Sequence, residues 1–236
     1  MSQPSSDFFG DRAEAYDGFI ARLVPDYHEA NVLMMDLVPF AADAPIRVLD
    51  VGTGTGALAA EVLRRFVKAE ITVTDMSARM LAQCKARFRA LGASVECIEG
   101  VFPETDIGGG YDLVVSSLAL HHLSHDDKRA GFAKLYAAMN PGGVLLVRDV
   151  VAGATPAIDA RYAALWRATV QAHGHDDMSW FDDHLVDDNP ATVEDQTAWL
   201  ADIGFIEVGC HWRHLGCALF GGQKSAPEIS RGLTRA

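Results

Sequence analysis

The chain has 236 residues, of which 49% are apolar and 22% are charged, so we expect one α/β domain with a sizeable core. Its formal net charge of −12 repels phosphate backbones and argues against nonspecific nucleic-acid binding. No apolar run reaches membrane-spanning length, which predicts no membrane partner. The first residues lack a secretion signal, which predicts a cytoplasmic protein. The cysteines show no CxxC spacing, so we expect reduced thiols.

Helical spacing of apolar residues dominates the chain before the first strand. Residues 8–24 fit one or two amphipathic helices, and residues 27–40 fit another. We expect residues 8–42 to form a helical cap over the site, because closing a site expels water from a reaction that water would spoil. An oligomer surface is the alternative for this segment.

The segment from Ile46 to Leu58 combines a short apolar strand, three glycines and the start of a helical pattern. Gly52, Gly54 and Gly56 predict a loop whose backbone approaches a ligand closely, with a helix N-terminus aimed at that ligand. The glycine spacing alone also fits a dinucleotide-binding loop, with alanine in the last place of that pattern.

Two acidic residues flank this loop and favour a positively charged nucleoside. Asp50 lies two residues before the first glycine, where a carboxylate would repel a pyrophosphate but suit a cation. Asp75 ends the next strand, 19 residues after Gly56, where an acid can accept hydrogen bonds from ribose hydroxyls.

Strands and helices then alternate, which predicts a parallel sheet with right-handed crossovers and helices on both faces. Three glycines at 108–110 leave room for only a short or absent helix between the third and fourth strands. A hairpin-length link joins the last two strands, so the last strand should be antiparallel to its partner. The predicted elements from 43 to 224 are strands 46–51, 70–75, 94–99, 111–117, 143–151, 206–212 and 217–221, with helices 56–67, 77–91, 125–139, 158–170 and 192–203.

Residues 152–191 interrupt the alternation and predict an insertion over the substrate pocket. The interruption follows the fifth strand, at the sheet edge where ligands bind in such folds. Trp166, Trp180 and Phe181 are candidates for lining the pocket, with helix core as an equal alternative. His173, His175 and His184 lie among acids in this insertion, but their spacing matches no helical HxxxH pair, so we expect a solvated charged loop and no metal.

Four stretches, VLDVGTGTG, VTDMSARML, VVSSLALHHL and LYAAMNPGGVLLVRD, resemble the ordered motifs of class I S-adenosylmethionine-dependent methyltransferases. The resemblance extends over residues 16–224. It implies a Rossmann-like, doubly wound and mostly parallel seven-stranded sheet with an antiparallel last strand, a helical cap and a helical insertion after the fifth strand. It also implies S-adenosylmethionine as cofactor and S-adenosylhomocysteine as product. A cofactor-free α/β domain with a tight glycine turn is the alternative.

The same resemblance implies a set of cofactor-binding residues. The glycine loop would hold the methionine part, Asp75 the ribose and Met76 the adenine face. The family commonly has a Gly-Asp pair after the third strand, but Val101 cannot accept a bond from adenine with its side chain, so recognition there falls to the backbone or to packing. The implied residues are Tyr27, Asp50, Gly52, Thr53, Gly54, Asp75, Met76, Gly100, Val101, Phe102, Ser116, Ser117 and Leu118.

Two consecutive histidines follow the fourth strand and are candidates for a general base, because histidine titrates near neutral pH. By family analogy we expect His121 to face the pocket and His122 to contact the next helix. A structural role for both is the alternative. Tyr16, in the cap, completes the candidate catalytic set.

The segment VPDYHEAN around Tyr27 and the C-terminal segment from Trp199 to Lys224 are also similar to carboxy-S-adenosylmethionine synthases. That subgroup uses an arginine in the insertion to hold the extra carboxylate of its cofactor. A gapless count places Phe181 there, and no Arg or Lys occurs between Gly174 and Asp202. We therefore expect methyl transfer to a small organic molecule, with a homodimer left open. The alternatives are a carboxy-S-adenosylmethionine synthase-like enzyme of tRNA wobble-uridine modification and a non-catalytic nucleoside-binding subunit.

Overall fold

The computed structural model of the chain describes residues 16–172 and 188–226, apart from the side chains of Tyr16 and Phe19. Its described helices include none that is both long and apolar enough to cross a membrane. The helices are α1 (Tyr16–Leu23), α2 (Tyr27–Asp36), α3 (Ala57–Arg65), α4 (Ala78–Ala90), α5 (His125–Ala138), α6 (Pro156–Ala172) and α7 (Val193–Ile203). The strands are β1 (Arg47–Val51), β2 (Glu70–Asp75), β3 (Glu96–Glu99), β4 (Tyr111–Ser117), β5 (Met139–Val150), β6 (Phe205–His214) and β7 (Cys217–Lys224).

The seven strands form one sheet in the order β3-β2-β1-β4-β5-β7-β6. Strand β7 is antiparallel to both of its neighbours, and the other six strands run parallel to one another. The predicted doubly wound sheet with an antiparallel last strand is therefore confirmed. The order places the carboxyl ends of β1, β2, β3 and β4 along one edge, where ligands bind in sheets of this kind.

Alternate residues of the central strands pack against opposite helical layers, as the two-residue period of a strand requires. Val48 of β1 belongs to the core that faces α2, α3 and α4, with Phe88 among its buried members. Leu49 belongs to the core on the other face, with Phe132 of α5 and Leu200 of α7. Both β1 residues are fully buried, so the glycine loop that follows β1 starts from a rigid support.

A third apolar cluster attaches the cap to the end of the sheet. Ile20 and Leu23 of α1 pack with Trp166 of α6 and with Val150 at the end of β5. The Trp166 indole N–H also donates to the Leu23 carbonyl at 2.6 Å. Residues 16–23 and 27–36 thus form helices within the expected cap, whereas the part of the expected helices before residue 16 lies outside the described residues.

Element boundaries differ from the predictions mainly around β5 and the final hairpin. Strand β5 begins at Met139 because that residue pairs with Tyr111 before an irregularity in the ladder. The last two strands are longer than predicted and meet at a two-residue turn, in which Leu215 has a positive φ of 51°. No helix occurs between β3 and β4, which fits the predicted short connection; this stretch is fully described.

Candidate active site

The loop between β1 and α3 has three glycines with positive φ, at +67° for Gly52, +54° for Gly54 and +75° for Gly56. A Cβ on Gly52 would lie 2.3 Å from the Ala119 Cβ, and a Cβ on Gly56 would lie 2.4 Å from the Cys84 Sγ. A Cβ on Gly54 would meet no atom within 4 Å. Two glycines therefore permit close packing of the loop, and Gly54 leaves open space on the side where a ligand can approach.

The Asp75 carboxylate is held at the end of β2 by two backbone donors. Its oxygens accept from the Gly54 N–H and from the Ser77 N–H, each at 2.8 Å. Burial raises the pKa of Asp75, and the two hydrogen bonds act in the opposite direction. Since a carboxylate has about four acceptor sites, Asp75 can accept further bonds while it fixes the glycine loop.

Asp75 lines an open cleft along the sheet edge, called the main cleft below, with a volume of about 890 Å³ that includes space open to solvent. One end is apolar and partly exposed, with Met76 40% and Val101 45% exposed. Exposed apolar groups facing a cleft indicate a ligand that covers them. The lining residues are Val51, Gly52, Gly54, Thr74, Asp75, Met76, Ser77, Met80, Gly100, Val101, Phe102, Leu118, Ala119, Leu120, His122 and Leu123.

A second pocket of about 430 Å³ lies beside the main cleft, and both are lined by Gly52, Gly54 and Leu118. Asp50 lines it, fully buried, and accepts a hydrogen bond of 2.6 Å from the Thr53 hydroxyl. Burial raises the pKa of Asp50 to about 7, although the Thr53 bond acts against this shift. A cation in the pocket would favour the ionised carboxylate.

Cap residues border the second pocket and are bonded to the core. Asp17 of α1 accepts from the Thr55 hydroxyl at 2.5 Å and pairs with the Arg87 guanidinium. The Tyr27 ring lies 4.5 Å from the guanidinium carbon of Arg148, a cation–π contact. Asp17 and Tyr27 both line the pocket. Helices α1 and α2 of the expected cap therefore each contribute a residue to the wall of the second pocket.

The two histidines are oriented opposite to the expectation. His122 lines the main cleft, and its side chain is 28% exposed. The His121 side chain is only 2% exposed, and its Nδ1 lies 2.5 Å from Asp149 Oδ1. The carbonyl of His121 accepts a bond from Lys128 of α5, so His121 is the histidine that contacts the next helix. The correction follows from the buried Asp149, which binds the first ring of the pair.

Charged neighbours shift the pKa values of the two histidines in opposite directions. For His121, burial lowers the pKa, but the carboxylates of Asp149 and Asp188 outweigh burial and raise it overall. For His122, burial and the neighbouring His121 lower the pKa, although Asp188 Oδ1 lies 2.9 Å from its Nδ1. His122 is therefore the ring that stays neutral at lower pH.

His121, His122 and Asp188 bring three potential metal-ligand atoms within 4.8 Å of one another. The Lys128 ammonium opposes positive charge on His121, so it would oppose a divalent cation there as well. Lys128 also donates to the carbonyls of Leu123 and Asn189. We therefore interpret the cluster as an ion-pair network that ties the histidine turn to α5 and to the segment before α7.

Several predicted residues lie elsewhere or outside the described part of the chain. The Ser116 hydroxyl is fully buried and donates to the Val51 carbonyl inside the sheet, whereas Ser117 lines the second pocket and accepts two bonds from Arg148. The Trp166 side chain packs in the cluster between α1 and α6. The side chain of Tyr16, together with Trp180, Phe181, His173, His175 and His184, is outside the described residues.

The structure adds four charged residues to the predicted site: Asp17, Arg148, Asp149 and Asp188. Arg148 and Asp149 end the motif LYAAMNPGGVLLVRD, and this position at a strand end was a usable signal. Asp17 directly follows Tyr16 and could have been included with it. Asp188 belongs to an acid-rich stretch in which no sequence signal distinguishes it from its neighbours.

Comparison with known proteins shows similarity to methyltransferases over part of the chain. Residues 48–143 match a family model described as a methyltransferase domain. A biotin biosynthesis bifunctional protein of Bordetella avium is 35% identical over 120 residues, which cover 51% of this chain and 25% of that protein. A carboxy-S-adenosyl-L-methionine synthase of Nautilia profundicola is 21% identical over 88% of this chain and 91% of that protein. This chain spans 25% to 64% of the length of four relatives that are 30% to 36% identical to it.

The fold also recurs in a solved structure. Human N-acetylserotonin methyltransferase in complex with S-adenosylmethionine superposes with a TM-score of 0.61 at 19% identity, covering 92% of this chain and 57% of that one. At this level of identity the likeness concerns the fold. It confirms the predicted fold, and the matched family model agrees with the predicted resemblance to methyltransferases over residues 48–143.

Proposed function

We propose that this chain, which carries a class I methyltransferase domain, uses S-adenosylmethionine to methylate a small organic molecule. The observation that carries the proposal is the pair of pockets that share Gly52, Gly54 and Leu118, with Asp75 lining one and Asp50 the other. A nucleoside with a positively charged substituent needs this arrangement, namely an acceptor for its ribose and a negative group near its cationic part.

The residues fit such a cofactor, and each has a distinct task. Asp75 would accept from the ribose, and the apolar end at Met76 and Val101 would cover the base. Asp50 and Tyr27 would hold the methionine part in the second pocket. S-adenosylmethionine would supply the electrophilic methyl group, so the chain itself has to bind, orient the acceptor and exclude water.

A histidine base is part of the proposal, for acceptors that carry a proton on the attacking atom. His122 is the better placed of the two because it lines the main cleft. Its lowered pKa keeps it neutral and able to accept a proton at neutral pH. His121, bonded to Asp149, would hold the turn that carries His122. A cytoplasmic location and a homodimer remain predictions that accompany this proposal.

A carboxy-S-adenosylmethionine synthase-like activity is the second candidate. It is favoured by the similarity over 91% of the Nautilia profundicola synthase. It is opposed by the absence of Arg and Lys between Gly174 and Asp202, where we expect that subgroup to place an arginine. The buried guanidinium of Arg148 contacts Tyr27 and Ser117, so a cation is nevertheless close to the second pocket.

The identity of the bound nucleoside tests both candidates. We expect mass spectrometry of the purified protein to detect S-adenosylmethionine or S-adenosylhomocysteine, whereas the carboxylated form would support the second candidate. Calorimetry should then show that Asp75→Ala weakens S-adenosylhomocysteine at least about tenfold, because bonds to a charged acceptor are lost. Asp75→Asn keeps the shape and serves as the control for charge. Unchanged affinity in both variants would contradict the proposal.

Methyl transfer itself needs a turnover assay, because nucleoside binding is also expected of a non-catalytic methyltransferase-like subunit. A panel of small phenols, amines, thiols and carboxylic acids should yield methylated product detected by mass. A protein that binds the nucleoside tightly but methylates no compound of any of these classes would favour the non-catalytic alternative.

A further inference from the structure

Residues that line the main cleft follow the ends of three neighbouring strands, from β1 through β2 to β3. Gly52 and Gly54 follow β1, Asp75 ends β2, and Gly100, Val101 and Phe102 follow β3. Since Asp75 is the candidate ribose acceptor and the second pocket would hold the methionine part, the base of a bound nucleoside would extend away from that pocket, toward β3. We call the part lined by Met76, Val101 and Phe102 the base end of the main cleft.

The base end has an apolar side chain where a base would present its polar edge. The Val101 side chain is 45% exposed and lines the cleft, yet it can neither accept nor donate a hydrogen bond. Met76, 40% exposed, offers a polarizable thioether suited to covering a flat ring. These two side chains favour packing against the faces of the base over recognition of its edge.

The backbone of Val101 does not supply the missing acceptor. Its carbonyl oxygen already accepts from the Thr105 N–H at 2.9 Å and from the Thr105 hydroxyl at 2.8 Å. A carbonyl oxygen has two lone pairs, and these two bonds use both of them. The sequence left open whether the Val101 backbone recognises the edge of the base. These two bonds exclude its carbonyl oxygen as the acceptor.

The side chains of Gly100 and Phe102 do not replace it either. Gly100 has no side chain, and a Cβ there would lie 2.1 Å from the Thr105 hydroxyl oxygen. The Phe102 ring is apolar and lies where a Cβ on Gly131 of α5 would meet it at 2.6 Å. Among the described residues that line the main cleft, Asp75 is the one carboxylate, and the proposed function assigns its remaining acceptor sites to the ribose.

We infer that, because of Val101, this site does not recognise the exocyclic 6-amino group of the purine. The protein therefore binds nucleosides in which that group is absent or altered. This inference rests on the proposed function, because it concerns the nucleoside of that same site. Selectivity for the cofactor then comes from the ribose contact at Asp75 and from the second pocket. Because Val101 is 45% exposed, a 6-amino group beside it would be open to water.

The test compares two ligands by calorimetry: S-adenosylhomocysteine and its analogue with hydrogen in place of the 6-amino group. The wild-type protein should bind them within about threefold of each other. Val101→Asp adds a charged acceptor at the rim and should bind S-adenosylhomocysteine at least about tenfold more tightly than the analogue. Val101→Leu is the matched apolar control and should keep the wild-type ratio. Melting temperatures of all three proteins establish that they are folded.

A wild-type preference of tenfold or more for the 6-amino nucleoside would overturn the inference while leaving the proposed function intact. An unchanged ratio in Val101→Asp would overturn the assignment of Val101 as the residue that sets this selectivity. Failure of the folded wild-type protein to bind either nucleoside would overturn the proposed function and this inference with it.

Discussion

Asp50 is a carboxyl group buried at the place where a positive charge is expected to bind. Its pKa rises from 3.8 to about 7. At about 1.4 kcal/mol per pKa unit, keeping this group ionised in the ligand-free protein costs about 4 kcal/mol. A cationic ligand in the second pocket would offset part of that cost. We therefore expect Asp50 to couple the binding of a cationic ligand to the release of a proton.

We predict that binding of S-adenosylmethionine releases up to one proton at about pH 6.5, because the ligand lowers the pKa of Asp50 toward its ordinary value. Calorimetry in two buffers with different ionisation enthalpies measures the proton count. Asp50→Asn has no carboxyl group to titrate and should bind without that release. Equal proton release in the wild type and in Asp50→Asn would remove Asp50 from this role.

The pH dependence of turnover distinguishes the two histidines as bases. If His122 is the base, the rate should rise with pH through an ionisation below 6.5, since burial and His121 lower its pKa. His122→Ala should then lower turnover by ~10²–10⁴ and lose that limb of the profile. His125→Ala, at the start of α5, is the matched control and should leave the profile unchanged.

A limb above 6.5 that is lost in His121→Ala would instead identify His121, whose pKa is raised by Asp149. Unchanged turnover and an unchanged profile in both variants would exclude a histidine base.

For individual residues, the sequence predicts which of them lie together at the site but not the direction in which adjacent side chains point. Asp50, Asp75 and the glycine loop follow from strand ends, because parallel strands place those ends at one edge of the sheet. His121 and His122 are adjacent in a short 3₁₀ turn, so either ring could have faced the cleft. The choice is made by Asp149 and Lys128, which come from two other elements.

The glycine loop forms part of the candidate binding site at the sheet edge, and its three glycines have different roles. Gly52 and Gly56 are packed against Ala119 and Cys84, so side chains there would disturb folding. Gly54 has the same positive φ but faces open space. A substitution at Gly54 therefore affects the ligand more than it affects the fold.

We predict that Gly54→Ala retains a folded protein but loses most affinity for S-adenosylhomocysteine, because the added methyl occupies space on the ligand side of the loop. Gly92→Ala is the matched control: Gly92 has a φ of +69°, also meets no atom within 4 Å, and lies outside both pockets. Both variants should lose a similar ~1–2 kcal/mol from backbone strain. Calorimetry and melting temperature measure the two effects. Equal affinities in the two variants would contradict the loop assignment.

Sequence patterns predict the sheet, but they do not predict where β5 starts or where α1 lies. The alternation of strands and helices predicts the sheet because each apolar run is bounded by a glycine, a proline or a polar turn. The start of β5 at Met139 depends on pairing with Tyr111, a contact between residues distant in the chain. The position of α1 likewise depends on Asp17 reaching Thr55 and Arg87, which no local pattern reveals.

For the molecule as a whole, several buried groups make the ligand-free protein sensitive to rising pH. Asp50 binds a proton more tightly in the folded chain than in the unfolded chain, so its contribution to stability falls between pH 3.8 and about 7. His121 has a pKa raised above 6.5, so its contribution is complete below 6.5 and is lost as pH rises through the raised value. His122, with a lowered pKa, acts oppositely below 6.5.

We therefore predict that the melting temperature of the ligand-free protein falls between about pH 5 and about pH 8, because Asp50 and His121 act in the same direction over successive parts of that range. Asp50→Asn should flatten the lower part of the curve, and His121→Gln should flatten the upper part. Saturating S-adenosylmethionine should also flatten the lower part, since its charge stabilises the ionised Asp50. Thermal unfolding across the range, with and without the ligand, measures all three effects. A wild-type melting temperature that rises steadily with pH would show that these buried groups do not control the stability of the molecule.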